Sequence, residues 1–299
     1  MLDYTHLSGT GVALITPFNK DKSVDYDSLE KVIEHCIQGG VESLISMGTT
    51  GEAVTLSAQE QKKIFRFTVE KTKGRTQVIA GIGGNNTAEV IREITELDTS
   101  GITAILSSSP SYNKPSQEGI YQHYMALAEH ATLPIIIYNV PGRTASNILA
   151  ETTLRLATQS TIFAGVKEAS GDLVQATKII KDKPKHFQVL SGDDPLALPL
   201  IGIGGDGVIS VIANVFPKAF STMIREARKG NYATAQKINL ILSDLHKWLY
   251  IDGNPAGIKA AASIIGLCDN ELRLPLVPMA HPNFIKLEME LKQILQELN

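Results

Sequence analysis

The chain has 299 residues, 43% of them hydrophobic, enough for one large α/β core or two smaller domains. A formal charge of -3 and a pI near 6.2 give no long-range attraction to nucleic acid or acidic membranes, which leaves a small molecule as the expected partner. The start MLDYTHLSGT lacks the basic and apolar regions of a signal peptide, no apolar stretch approaches the roughly 20 residues that cross a bilayer, and Cys36 and Cys268 stand far apart, so a reduced, cytoplasmic protein is expected.

A short apolar run at 11–15, stopped by Thr16 and Pro17, precedes a helical pattern of Leu29, Val32, Ile33, Cys36 and Ile37 that Gly39 and Gly40 end. The same unit recurs along the chain. Strand 43–47 precedes helix 57–72, whose Ser57 and Glu60 have capping-box spacing; strand 77–81 precedes helix 87–97; and strand 104–107 precedes helix 117–131. Strand 134–138 is followed by helix 151–158, strand 162–167 by helix 173–181, strand 187–191 by helix 196–201, and strand 207–212 by helix 217–229. Eight such units predict a (β/α)8 TIM barrel. A doubly wound sheet would place a Gly-rich phosphate loop after an early strand, where this chain has TPFNKDKS. After Gly230 the pattern is helical only, at 232–249, 255–265 and 282–298, which divides the chain into a barrel domain (1–230) and a C-terminal helical appendage (231–299). The stripe Phe284, Leu287, Leu291, Ile294 and Leu295 on the last helix is expected to bury against a barrel flank or another subunit.

In a barrel of this kind chemistry sits at the C-terminal ends of the strands. Lys167 closes the apolar run 162–166, and two readings of it stand side by side. Its head group reaches solvent past the strand end, or it is a desolvated amine able to attack a ketone and form a Schiff base, with Ile135, Ile137 and Val166 as the apolar neighbours. Thr49 and Thr50, between Gly48 and Gly51, suit either a carboxylate cradle or an ordinary turn. Tyr138, directly after three isoleucines, is placed to relay protons, and Arg143 in the following turn offers a planar fork to a carboxylate; each also fits an ordinary surface position. Tyr112 lies in a proline-stiffened loop that suits a surface or an interface. Asp193 and Asp194 lack further ligands nearby and read as a polar turn, and GIGGDG at 202–207 reads as a helix stop. His123, His130, His246 and His281 show no metal-ligand spacing, so no metal is expected.

Taken together, GTTGE at 48–52, PSYNKPSQEG at 110–119, YNVPGRT at 138–144, GVKEASGD at 165–172, LSGDD at 190–194 and GVISVIANV at 207–215 resemble the 4-hydroxy-tetrahydrodipicolinate synthase (dihydrodipicolinate synthase) family of lysine-forming class I aldolases. The resemblance covers nearly the whole chain in matching order and spacing. It implies a Schiff-base enzyme that condenses pyruvate with aspartate semialdehyde in lysine and diaminopimelate synthesis. By position, Lys167 would capture pyruvate, and Tyr138 would move protons through Thr50 to a Tyr112 supplied by a neighbouring subunit. Thr49 and Thr50 would bind the pyruvate carboxylate, Gly192 and Ile209 would line the pocket, and Arg143 would receive the semialdehyde carboxylate. The iminium itself draws electrons from the pyruvate methyl, so no cofactor is implied; a homotetramer is usual in the family.

N-acetylneuraminate lyases are similar in the Lys and the Tyr, but Arg143 and GTTGE favour the synthase. A barrel that binds without turnover would be expected to lack Lys167, Tyr138, Thr50 or Tyr112, and all are present. One departure stands out. Ser111 replaces the first of two loop tyrosines, and Ala58 and Gln61 stand where lysine-inhibited members often carry histidines, although Asn85 and Glu89 match; weak or absent inhibition by lysine is implied.

Overall fold

A computed structural model describes residues 3–298. Eight parallel strands, β1 (Gly9–Ala13), β2 (Ser43–Ser46), β3 (Gln77–Gly81), β4 (Ala104–Ser108), β5 (Ile135–Asn139), β6 (Phe163–Glu168), β7 (Gln188–Ser191) and β8 (Gly207–Ser210), pair in chain order and close on themselves. Around them run α1 (Tyr26–Gln38), α2 (Ala58–Thr72), α3 (Thr87–Thr95), α4 (Gln117–His130), α5 (Pro141–Thr144), α6 (Ala150–Gln159), α7 (Leu173–Asp182), α8 (Ala197–Gly202) and α9 (Pro217–Arg228). The expected (β/α)8 barrel is therefore what the chain forms. Beyond it lie α10 (Tyr232–Leu242), α11 (Leu245–Tyr250), α12 (Ala256–Ile264) and α13 (His281–Leu298).

Local chemistry accounts for most element ends. Ser57 and Glu60 form both bonds of the capping box on α2, and Asp25 and Asp172 cap α1 and α7 through their carboxylates. The turn expected after β5 closes instead into the short α5: Pro141 pre-sets its first residue, and the amides of Arg143 and Thr144 both donate to Val140 O (2.9 and 3.0 Å). The helix expected over 232–249 is interrupted near Ser243, whose hydroxyl turns back onto Leu240 O (2.7 Å). GIGGDG is a helix stop, with Gly204 at φ +100°. Leu287, Leu291 and Ile294 of α13 are buried as their spacing predicts, and the helix packs on α10, α11 and α12.

Strands buried on both faces have two cores to serve. Phe163, Val166, Ile135 and Ile137 belong to the cluster between sheet and helices, while Ala164, Ile136, Tyr138 and Ile209 fill the barrel interior. In β6 this alternation changes parity. Ile135 pairs with Phe163 but Ile136 pairs with Gly165, so one extra residue is inserted in β6. Strict alternation from the inward Ala164 would send Val166 and Glu168 inward and Lys167 outward. The irregularity reverses this, and Lys167 faces the interior beside Tyr138, its register partner. Gly165 permits it, because a Cβ there would meet Gln188 O at 2.5 Å.

Candidate active site

At the C-terminal mouth of the strands a cavity of about 770 Å³ is lined by Thr49, Thr50, Tyr138, Arg143, Lys167 and Gly192, together with residues no strand-end motif pointed to. Lys167 is 5% exposed and its Nζ lies 4.2 Å from the centroid of the Tyr138 ring. Among the described residues no carboxylate forms an ion pair with it. The solvent-reaching account of Lys167 is thereby set aside: the amine ends inside the cavity. Ile135, Ile137 and Val166, expected to be its apolar surroundings, lie on the helix-facing side of the sheet, opposite the face that carries Lys167. Its neighbours are Tyr138, Ala169 and Gly192. A Cβ on Gly192 would come within 2.5 Å of Ala169 Cβ and 3.1 Å of Lys167 Cγ and Cε, so glycine leaves the lysine stem its room.

Behind this pair, on the outer side of the sheet, Asn139 and Glu168 are also register partners. Glu168 is buried and accepts from Asn139 Nδ2 (3.0 and 3.1 Å), Ser170 N (2.7 Å) and Gln175 Nε2 (3.0 Å). These neutral donors satisfy the carboxylate and tie the ends of β5 and β6 to α7, which holds Tyr138 and Lys167 side by side.

After β2, Thr49–Gly51 makes a single 3-10 turn in which Thr50 is buried and Thr49 exposed. The first amides of such a turn have no partner within it, so hydroxyls and N–H groups together can meet an anion. Glu52, which ends the turn with φ +54°, is not part of the cavity. Its carboxylate is buried against Lys259 of α12 and accepts from Arg273 N (3.0 Å). Lys259 donates also to Glu271 O (2.8 Å) and lies 4.1 Å from the Phe18 ring centroid; burial pulls its ammonium below its usual range and Glu52 opposes that pull. The acid of GTTGE is thus an anchor between the turn and the C-terminal helices.

Those helices contribute to the mouth itself. His246, Lys247, Tyr250 and Asn254 all line the cavity, and Asn254 Nδ2 donates to Thr50 Oγ1 (3.0 Å) while its backbone O accepts from Arg143 Nη2 (3.3 Å). Asp193 lines the cavity too, its carboxyl raised by burial and by the neighbouring Asp194. Asp194 is buried and accepts from the amides of Val211 and Ile212 (3.0 and 2.9 Å). His246, read from the sequence as a surface or satisfied residue, is held below its ordinary value by burial, against the pull of Asp194 and Asp193. His246, Lys247, Tyr250 and Asn254 carry no local motif, so only contact between segments reveals them.

Two expected site residues lie elsewhere. Ile209 is in the barrel interior and does not line the cavity. Tyr112 is 89% exposed, with φ +68°, and does not line its own chain's cavity. Of the positions behind the expectation of weak lysine inhibition, Asn85 Oδ1 accepts from Ser111 N and Oγ (2.7 and 3.0 Å), Glu89 pairs with Arg92 (2.6 Å), and Gln61 donates to Ala53 O and Leu56 O (2.9 and 3.2 Å).

The model of the Dihydrodipicolinate synthetase family matches residues 6–294. A 4-hydroxy-tetrahydrodipicolinate synthase of Phocaeicola vulgatus is 48% identical over 290 residues, covering 97% of this chain and 98% of that protein. The crystal structure of dihydrodipicolinate synthase from Aquifex aeolicus superposes with a TM-score of 0.93 at 40% identity, over 96% of this chain and 97% of that one. A chloride-inhibited dihydrodipicolinate synthase from Acinetobacter baumannii, complexed with pyruvate, gives 0.93 at 40% identity, over 96% and 98%.

Proposed function

The chain belongs to the dihydrodipicolinate synthetase family, and from that premise we propose that it condenses pyruvate with L-aspartate 4-semialdehyde to 4-hydroxy-tetrahydrodipicolinate through a Schiff base on Lys167. One observation carries the assignment of the nucleophile: Lys167 is a buried amine without an acidic partner among the described residues, open to a cavity shared with Thr49, Thr50 and Tyr138.

The neutral amine of Lys167 adds to the pyruvate ketone carbon, and loss of water from the adduct leaves an iminium. The iminium withdraws electrons from the methyl, which gives up a proton to become an enamine, and the enamine carbon bonds to the aldehyde carbon of the semialdehyde, whose oxygen takes up a proton as a hydroxyl while the iminium re-forms. The product's own amine then closes the ring on the former ketone carbon and releases Lys167. Tyr138 moves the protons, a role supported by its ring lying 4.2 Å from Nζ. Thr49 and Thr50 bind the pyruvate carboxylate, with Gly192 leaving space for the adduct. Arg143, exposed at the mouth, takes the semialdehyde carboxylate. Ile209 packs in the barrel interior and is not part of the cavity wall.

The exposure of Tyr112 supports a relay completed across an interface: Tyr112 of the partner subunit would approach Thr50, and pairs of such dimers would make the homotetramer. No described helix is long and apolar enough to cross a membrane. Two buried, unpaired thiols, Cys36 and Cys268, fit a reducing cytoplasm. Borohydride reduction in the presence of pyruvate, followed by peptide mass analysis, tests the reading: a reduced pyruvate adduct is expected on Lys167, and an unmodified Lys167 would reject it.

A further inference from the structure

Asn254 lies between α11 and α12, outside the barrel, yet it touches both halves of the reading just given. Its side chain is nearly buried, and Nδ2 donates to Thr50 Oγ1 at 3.0 Å. Its backbone oxygen, not its side chain, accepts from Arg143. Its Oδ1 is buried with no partner among the described residues. We propose that Asn254 is a positioning residue for the pyruvate half of the reaction, fixing the direction in which the Thr50 hydroxyl donates its proton.

The argument is one of satisfiable bonds. A threonine hydroxyl has a single proton and two lone pairs. With an amide N–H filling one lone pair from the α12 side, the hydroxyl proton is directed away from Asn254, toward the cavity that Tyr138 shares. Without that donor the hydroxyl rotates freely and serves equally as donor or acceptor, so the relay loses its polarity. The side chain of Asn254 therefore acts on the step that Thr50 and Tyr138 serve, and its backbone serves Arg143 separately. This proposal rests on the Schiff-base reading of Lys167.

The test is the rate of borohydride trapping with pyruvate, combined with steady-state kinetics. Asn254→Leu keeps the size and removes the donor; trapping and kcat are expected to fall about tenfold, the scale of one neutral hydrogen bond, with KM for the semialdehyde unchanged because the backbone oxygen remains. Asn254→Asp keeps the shape but can only accept, so it reverses the bond to Thr50 and is expected to lose as much; it also carries the test if Asn254→Leu fails to fold. In the Thr50→Val background, Asn254→Leu should cost nothing further. Wild-type trapping rates in Asn254→Leu or Asn254→Asp, or losses that add fully to that of Thr50→Val, would overturn the proposal. A wild-type chain that traps no pyruvate rejects the lysine reading instead, and this one with it.

Discussion

Arg143 is exposed at the cavity mouth with one guanidinium nitrogen on Asn254 O, which fixes its position and leaves its other donors uncommitted among the described residues. Lys167 is the opposite case, buried and close to Tyr138. In the proposed reaction the two residues serve different substrates, so their substitutions are expected to separate. Arg143→Ala is expected to raise KM for the semialdehyde about tenfold or more, with KM for pyruvate and the rate of pyruvate trapping nearly unchanged. Initial rates measured against each substrate in turn decide it, and equal effects on both would remove Arg143 from the second substrate. Both residues were legible in the sequence as candidates, because Lys167 closes one apolar run and Arg143 lies in the turn after another. Asn254, His246 and Tyr250 were not, since nothing in a helical tail says that it folds over a barrel mouth.

At the level of elements, the contact between the Thr49–Gly51 turn and α12 is made by a buried ion pair, Glu52 with Lys259. Breaking one side strands a charge where water cannot reach it, whereas removing both removes the problem. Lys259→Met is expected to cost about 3–5 kcal/mol of stability. The Glu52→Gln/Lys259→Met double variant should cost less than Lys259→Met alone. Denaturant unfolding of the variants checks this, and a double variant as unstable as the sum of the singles would show that the pair is not coupled. The sequence displays Glu52 only as the last residue of GTTGE, with no role attached; the fold reveals that it faces α12. The inserted residue in β6 is a similar case, since FAGVKE has no periodicity that tells which face Lys167 occupies.

At the scale of the whole molecule, the site proposed for one chain lacks the tyrosine it needs, and the same chain presents Tyr112 almost fully exposed. If the relay is completed across an interface, two defective chains can repair each other. Tyr112→Phe and Lys167→Ala, each nearly inactive alone, should recover about a quarter of wild-type activity when unfolded and refolded together, because random pairing makes about half of the dimers mixed and each mixed dimer holds one complete site. Activity that stays at the level of the separate variants would place the relay within a single chain. By itself, the sequence determined the barrel and the order of its strands, because eight alternations of apolar run and amphipathic helix admit few other closed arrangements. It also marked Lys167, Tyr138, Thr49, Thr50 and Arg143, at or just after those runs, as candidates for the chemistry. Only the tertiary structure decided which face of β6 carries Lys167, and that Glu52 is an anchor. It alone showed that the C-terminal helices wall the cavity and that Tyr112 stands apart from its own chain's site. These depend on register and on contacts between residues distant in sequence, and neither leaves a local period or motif to be read.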